Sequence, residues 1–439
     1  MDIAFSCAVY AVSMAACLLT GASTSWAIVA AVVLFFLCGL RRKYGLQALL
    51  KMGYSNLPAS FTVIRILVIL GALTGLWRSC GTIPFCIYYG IRFIRPGMFI
   101  FVTFLINVLL SLALGTSLGV ASTSGVVLIS LARFGGVDPL ICAGAVMSGI
   151  YFGDRTAPTS SCANLVAAIT GTKLYDDIKY MTRSALLPYG ASLVFYAVLS
   201  WLNPIGTVDE TMMNALCTEF QLSFWTVIPA AIMIVLPLLR CPLFLSMGAS
   251  GLCAALVSMF VQHMSLSDVL KIAVFGYAPE GGMLAQVITG GGITSIGMSI
   301  VMVTAAGIFT GLLQGMGILN GIQARLKSLS QRIGRIKVSN LIGLVCPMIF
   351  CNQTTSNIVH SQLMKEIYPD GPEGRLELAC DINNTSVLWA GLIPWSVACS
   401  IPLDCLEAGI GALPYAFLLY AIPVCYLFTK KRIFKGEHL

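Results

Sequence analysis

The feature that most restricts what this chain can fold into is the recurrence, from one end to the other, of uncharged apolar runs about as long as a bilayer is thick. A helical span needs roughly 20 such residues, at about 1.5 Å each, to cross roughly 30 Å of hydrocarbon. Of the 439 residues 58% are hydrophobic and only 10% charged. That leaves too little polar surface to cover a soluble globule, so lipid must be the solvent. Backbone polar groups find no water there, and the runs are continuous rather than alternating, which favours an all-α polytopic membrane protein over a β-barrel. Spans are predicted over 3–20, 24–40, 58–77, 97–114, 117–134, 138–170, 184–202, 223–239, 243–263, 293–315, 338–357, 379–401 and 411–428, with a further hairpin over 79–95. About 12–14 transmembrane helices are expected, several of them interrupted.

Net charge is +8, but the basic residues cluster at the ends of apolar runs, which reads as topology and not as a nucleic-acid patch. Arg41, Arg42 and Lys43, then Lys173, Lys179 and Arg183, then Arg325 to Lys337, then Lys430 to Lys435 are placed in the cytoplasm. The segment Asn203 to Phe220, with Asp209, Glu210 and Glu219 and no lysine or arginine, is placed outside. Both termini are then cytoplasmic, in a cell (plasma or inner) membrane protein with an even span count, so the thirteen spans are off by at least one. The domain reading is a first membrane half over 1–202, an external loop over 203–222, a second half over 223–428 and a basic tail over 429–439. The stretch Ile3 to Leu19 lacks a basic leader and reads as a retained helix. Tyr44 to Asn56 reads as a surface connector, Trp26, Trp77, Trp201 and Trp225 as interface anchors, and His263 and His360 as boundary residues. Arg65, inside a span, is expected to pair with a carboxylate or else to snorkel to the interface. The sixteen cysteines contain no C-x-x-C and read as small reduced hydrophobes.

The richest stretch runs from Met147 to Asn164. Asp154 follows Gly153, Pro158 comes four residues later, and apolar runs flank both sides, the pattern of a helix that unwinds at membrane depth. Unwinding frees carbonyls. With the hydroxyls of Thr156, Thr159, Ser160 and Ser161 and the amide of Asn164, they offer the hard oxygen donors that a small cation such as Na+ requires, and Asp154 can exchange a proton. Arg155 supplies an adjacent counter-charge. The alternative is a polar loop at the membrane surface with an ordinary ion pair. Further polar interruptions, around Asn352 to Asn357 and Asp381 to Ser386, fall in the second half, and paired broken helices in corresponding halves point to a transporter site near the midplane. The glycines at 281–282 and 290–292 read as a connector.

Gly115-Thr116-Ser117-Leu118-Gly119 with Thr123 and Gly125, then Ser148-Gly149-x-Tyr151-Phe152-Gly153-Asp154-Arg155-x-x-Pro158, Asn164-Leu165, Gly171-Thr172, Leu392-Ile393-Pro394-Trp395 and Leu413 to Phe417 resemble, in order and spacing, the signature of NhaC-type sodium/proton antiporters. The resemblance covers about Gly115 to Phe428. It implies inverted repeats, movement of sodium against protons or of small organic solutes (amino acids or carboxylates) with them, ion ligands at Thr116, Ser117, Asp154, Thr156 and Asn164, no cofactor beyond the coupling ion Na+ or H+, and compatibility with a homodimer. Two departures stand out. Family members carry Gly-Asp-Gln where this chain reads Cys351-Asn352-Gln353, and Leu-Glu-Asp where it reads Ile382-Asn383-Asn384. Neutral amides replace carboxylates, which puts proton coupling through the second half in doubt and leaves Asn352, Gln353, Thr354, Thr355, Asn383, Asn384 and Thr385 as polar ligands or as interhelical glue. Asp381 could compensate or face the aqueous boundary. A transporter is thus expected, against a channel or an intramembrane enzyme, for which no H-E-x-x-H or G-x-S-x-G is present.

Overall fold

The computed structural model describes residues 2–20, 24–93, 95–206, 210–239, 241–279, 288–316 and 322–435. These residues form helices, with no strand among them beyond one isolated bridge between Tyr277 and Gly290. Seven helices are long and apolar enough to cross a membrane, and the pair Met213–Glu219 and Phe224–Leu238, bent by 98°, qualifies when taken together. Other segments are broken, and the breaks organise the molecule.

The helices are α1 Asp2–Thr20, α2 Thr24–Arg41, α3 Leu46–Tyr54, α4 Leu57–Ser79, α5 Thr82–Phe93, α6 Phe99–Leu114, α7 Ser117–Val120, α8 Val126–Phe134, α9 Pro139–Thr156, α10 Ser161–Thr170, α11 Leu174–Leu202, α12 Glu210–Glu219, α13 Ile228–Leu238, α14 Leu243–Phe260 and α15 Leu266–Phe275. They continue with α16 Gly297–Gly315, α17 Ile322–Ile333, α18 Arg335–Phe350, α19 Gln353–Met364, α20 Pro372–Asn384, α21 Ser386–Ala390, α22 Val397–Cys405 and α23 Phe417–Lys435.

Helix α6 stops at Gly115, whose left-handed backbone (φ 69°, ψ 19°) costs a glycine little, and Thr116 is extended (φ −137°, ψ 121°) before α7 begins. A π-helical turn over Ala121–Gly125 leads into α8. Ser124 donates to Asn107 at 2.8 Å, so the outgoing arm lies beside the incoming one and the chain reverses at Gly115. Helix α18 ends the same way, at Cys351 (φ 55°, ψ 6°) and Asn352 (φ −137°, ψ 126°), and Ser339 shares a 2.9 Å hydrogen bond with His360 across the arms. The two tips have the same backbone shape within about 15° at every angle, ordinary scatter for one conformation.

Each hairpin is followed by a helix that opens on proline and later breaks. Pro139 starts α9, the break covers residues 157–160, and Ser160 caps α10 by accepting from the Cys162 and Ala163 amides. Pro372 starts α20, Thr385 separates it from α21, and after a second break Ser396 caps α22 through the Ala398 amide. Each tip packs on the break of its own repeat: a side chain at Gly115 would strike Thr159 and Ser160, and the Val397 amide donates to the Cys351 carbonyl at 2.8 Å. The repeats enter from opposite ends. The first hairpin opens beside Ile205, whose amide bonds the Pro96 carbonyl, and the second opens beside Gly171, which shares a cavity with Lys365 and Arg375.

Helix α6 packs on α9 through Gly149-x-x-x-Gly153, where small residues let backbones approach. Ser111 locks the contact, donating to the Gly149 carbonyl at 2.8 Å and accepting from the Gly153 amide at 3.0 Å. Around this centre, α11 runs antiparallel to α23 with Tyr180 stacked on Phe434 and Phe195 on Phe417. The expected connector at 44–56 is helix α3, whose Leu49 is buried and whose Met52 lies against Gly311 and Gly315 of α16.

Several expectations need correction. The spans predicted over 97–114 and 117–134 are the two arms of the first hairpin, while the span predicted over 379–401 is broken a second time at 391–396, a stretch with no charge and no long polar run. The polar break expected from Asn352 to Asn357 is confined to residues 351–352, since Asn352 caps α19 and the polar residues after it are helical. Trp77 is no interface anchor: it is buried and donates to Ser250 at 3.0 Å. His360 is buried between hairpin arms, not at a boundary. Arg65 is exposed on α4 with no ion pair among the described residues. The basic stretch from Lys430 begins inside α23, and Lys430 is buried. Glu280, Gly281, Gly282 and Asp209 lie outside the described residues.

Candidate functional site

Asp154 sits in the last turn of α9, 4% exposed, just before the break. Its backbone carbonyl accepts from Ser160 Oγ at 2.5 Å, so the capping serine of α10 also closes the end of α9. Its carboxylate faces both hairpin tips. Ser117, the first residue after the first tip, offers it backbone and side-chain donors. Gln353, the first residue after the second tip, places Nε2 3.4 Å from Asp154 Oδ2 and 3.1 Å from the Val387 carbonyl. The N-terminal ends of α7 and α19 carry positive helix-end potential toward this point, which suits a carboxylate. No cation is ion-paired to Asp154 among the described residues.

The other expected ligands divide into groups. Thr116 holds the extended position of the first tip and makes no capping side-chain bond. Thr156 donates to the Phe152 carbonyl at 2.6 Å, and Asn164 donates to Pro158 and Ser160 carbonyls at 3.0 and 2.7 Å, so both brace the break while keeping acceptor oxygens. Asn352 caps α19, accepting from Thr354 at 2.9 Å and Thr355 at 3.4 Å. Thr354 is exposed and Thr355 buried. Thr385 donates to the Asp381 carbonyl at 2.6 Å inside its own break.

Arg155 turns away from Asp154. Its guanidinium donates to Asn384 Oδ1, to the Met181 carbonyl at 2.9 Å and to Ser184 at 3.5 Å, while Ser184 also donates to Asn384 at 2.9 Å. The expected counter-charge for Asp154 is therefore a tie from α9 to α11 and α20, made through backbone and neutral groups. Among the described residues Asn383, wholly buried, has neither side-chain polar atom bonded, and Asn384 Nδ2 and Ser386 Oγ are also without partners. Such orphaned groups mark a place that water or a small polar solute can satisfy. Asp381 does not face the aqueous boundary: it is buried and held by Lys430 at 2.6 Å, by Tyr426 at 2.9 Å and by Tyr368.

Three further features of the structure leave little trace in the sequence. One is Ser111, whose role needs knowledge of which helices touch. Another is Glu407, bridged by Arg78 and Arg133 at 2.7 Å each, which ties α4 and α8 to the turn after α22. The third is Asp404, in the last turn of α22, which accepts from Ser299 at 2.5 Å. Its signal is an acid just beyond an apolar run, and it falls outside the span predicted over 379–401.

Residues 149–429 match the Na+/H+ antiporter family. The chain is 27% identical over 367 residues to a malate-2H+/Na+-lactate antiporter of Bacillus subtilis, covering 82% of this chain and 78% of that one. It is 25% identical over 389 residues to the Na+/H+ antiporter NhaC of Alkalihalophilus pseudofirmus, covering 85% and 84%. It is also 25% identical over 383 residues to the arginine/ornithine antiporter ArcD of Halobacterium salinarum, covering 85% and 79%.

Proposed function

Because this chain belongs to the Na+/H+ antiporter family, we propose that it is a secondary antiporter working by alternating access, with its exchange site at Asp154. The observation that carries this reading is the meeting of two oppositely entering hairpin tips, through Ser117 and Gln353, on one carboxylate at a helix break that has no ion-paired cation among the described residues. Na+ takes hard oxygens, available from Asp154, Ser117, Thr156 and the carbonyls freed around 157–160, and H+ takes the same carboxylate; occupancy by one excludes the other. Rocking of one repeat against the other would expose the site first at the Lys173 end and then at the Asn203 end. The basic clusters support placing the Lys173 end, and both termini, in the cytoplasm, with a plasma or inner membrane as the location. A homodimer is compatible with this arrangement.

A second reading has its own support: exchange or cotransport of a small organic acid or amino acid with the ion. Two of the relatives are named for such solutes, and the unsatisfied amides of Asn383 and Asn384 are suited to a polar solute rather than to a second proton. Transport against a gradient in purified proteoliposomes tests both. Asp154→Asn is expected to abolish gradient-driven sodium or proton flux while leaving the protein folded, and wild-type flux would remove Asp154 from the mechanism. Counterflow of labelled carboxylates and amino acids then separates the two readings.

A further inference from the structure

Several acidic groups of this bundle are neutralised by a cation. Glu407 is clamped by Arg78 and Arg133, Asp381 by Lys430, and Glu377 by Lys430 and Arg335, the last at 3.3 Å. These are structural charges, neutralised where they stand. Asp404 has no such cation among the described residues. It is exposed, facing an open cavity of about 490 Å³ between α1, α2, α16 and α22, lined also by Cys17, Thr24, Ser25, Ser299 and Ser400. Ser299 donates to its carboxylate at 2.5 Å, and Ser400, one helical turn earlier on the same face, has a buried hydroxyl with no partner among the described residues. A carboxylate and hydroxyl oxygens around an accessible space are the donors a hard monovalent cation takes up.

The position within the fold adds direction. Helices α10 and α22 are equivalent arms, each starting after a break and a capping serine. Eight residues beyond that serine, α22 has Asp404 and α10 has Ala168. The acid thus belongs to one arm alone, the arm that leads toward the Asn203 end, since Glu407 just beyond it is tied to Arg78 and Arg133 at the ends of α4 and α8.

We propose that Asp404, with Ser299 and Ser400, forms a second site for an exchangeable monovalent cation, Na+ or H+, in series with Asp154 and on the Asn203 side of it. This inference rests on the antiporter reading. It supplies the second-half carboxylate that Asn352, Asn383 and Asn384 no longer provide. Other titratable groups facing Asp404 are Cys17 across the cavity and Cys399, Cys405 and the arginine-paired Glu407 on its own segment; the parts of α2 and α16 lining the cavity contribute hydroxyls and apolar groups.

The test is the reversal voltage and the sodium and pH dependence of flux in proteoliposomes, for wild type, Asp404→Asn, Asp404→Glu and Ser299→Ala. Expected for Asp404→Asn is the loss of one coupled charge per cycle, with flux retained. If the site takes Na+, half-saturating sodium rises about tenfold, and if it takes H+, the sodium curve holds while the proton count drops. Asp404→Glu should restore coupling. Should Asp404→Asn fail to insert, Ser299→Ala, which keeps the acid, must still displace the pH of half-maximal flux by about half a unit. Wild-type stoichiometry with unchanged sodium and pH curves overturns the second site and leaves the antiporter reading standing. No gradient-driven flux in wild type overturns that reading and takes this inference with it.

Discussion

Gln353 and Asp154, 199 residues apart in sequence, meet across the two halves of the molecule with 3.4 Å between Nε2 and Oδ2. Gln353 also reaches the Val387 carbonyl at 3.1 Å, so it holds the second hairpin tip against α21 and the acid at once. The pair is the one direct side-chain bond from the second repeat to the proposed exchange acid among the described hydrogen bonds. Replacing Gln353 by alanine removes a single hydrogen bond to a charged group, worth about 1.5–3 kcal/mol. Half-saturating sodium is therefore expected to rise about tenfold or more in Gln353→Ala, with the maximal rate less affected; sodium titration of exchange checks it, and an unchanged curve would place Gln353 outside the ion path.

The contact between α6 and α9 has no room to spare. A methyl group at Gly153 would overlap the Ser111 carbonyl, and one at Gly149 would press on Asn107 and the Phe104 carbonyl. Gly153→Ala must push α6 off α9 and break the Ser111 clasp, at a cost of about 1–3 kcal/mol. The expected outcome is a lower melting temperature in detergent together with weakened exchange, because the end of α9 carries Asp154. Stability equal to wild type would mean that the two helices part more easily than this packing allows.

How much of this is legible in the sequence depends on what kind of signal each element leaves. Apolar runs of span length reveal the class. Asp154 between Gly153 and Pro158 reveals a charged break, because a carboxylate inside a long hydrophobic run is too costly to keep unless it lines a cavity or binds something. The hairpin tips leave almost no trace. Gly115–Thr116 is short and uncharged, and Cys351 adopts a left-handed backbone with nothing in its side chain to announce it. Side-chain direction is the other gap: Arg155 is adjacent to Asp154 in sequence, but on a helix neighbouring residues point about 100° apart, and Arg155 turns to Asn384 on α20. Asp381 and Lys430 belong to helices that only tertiary packing brings together.

That packing makes the Asp381 cluster a test of structure rather than of transport. Lys430 reaches Asp381 at 2.6 Å and Glu377 at 2.7 Å from a nearly buried position. Removing one partner of a buried ion pair leaves an uncompensated charge and costs about 3–5 kcal/mol. Lys430→Met is expected to lower thermal stability sharply, and the double variant with Asp381→Asn to recover most of the loss. Thermal unfolding of the purified variants measures both. The double variant should retain the wild-type pH profile of exchange; a shifted profile would bring Asp381 into the coupling mechanism after all.

Asn384 offers the sharpest separation between an ion ligand and a packing residue. Its Oδ1 already accepts from Arg155 and from Ser184, so a carboxylate introduced there would meet a buried guanidinium whose described hydrogen bonds reach only neutral groups. A new acid so placed is neutralised by Arg155 and should not cycle a proton. Asn384→Asp is therefore expected to leave the pH profile of exchange unchanged and to preserve or raise the melting temperature, since a neutral acceptor becomes a charge-assisted one. Asn352→Asp behaves differently in principle: the carboxylate keeps the cap on α19, where oxygen accepts from the Thr354 and Thr355 amides, and stands next to Gln353 at the tip facing Asp154. A second negative charge there should change the pH dependence of exchange by about one unit, the scale on which neighbouring carboxylates influence each other. If Asn384→Asp altered proton coupling and Asn352→Asp did not, the exchange site would lie beside Arg155 and not at the hairpin tips.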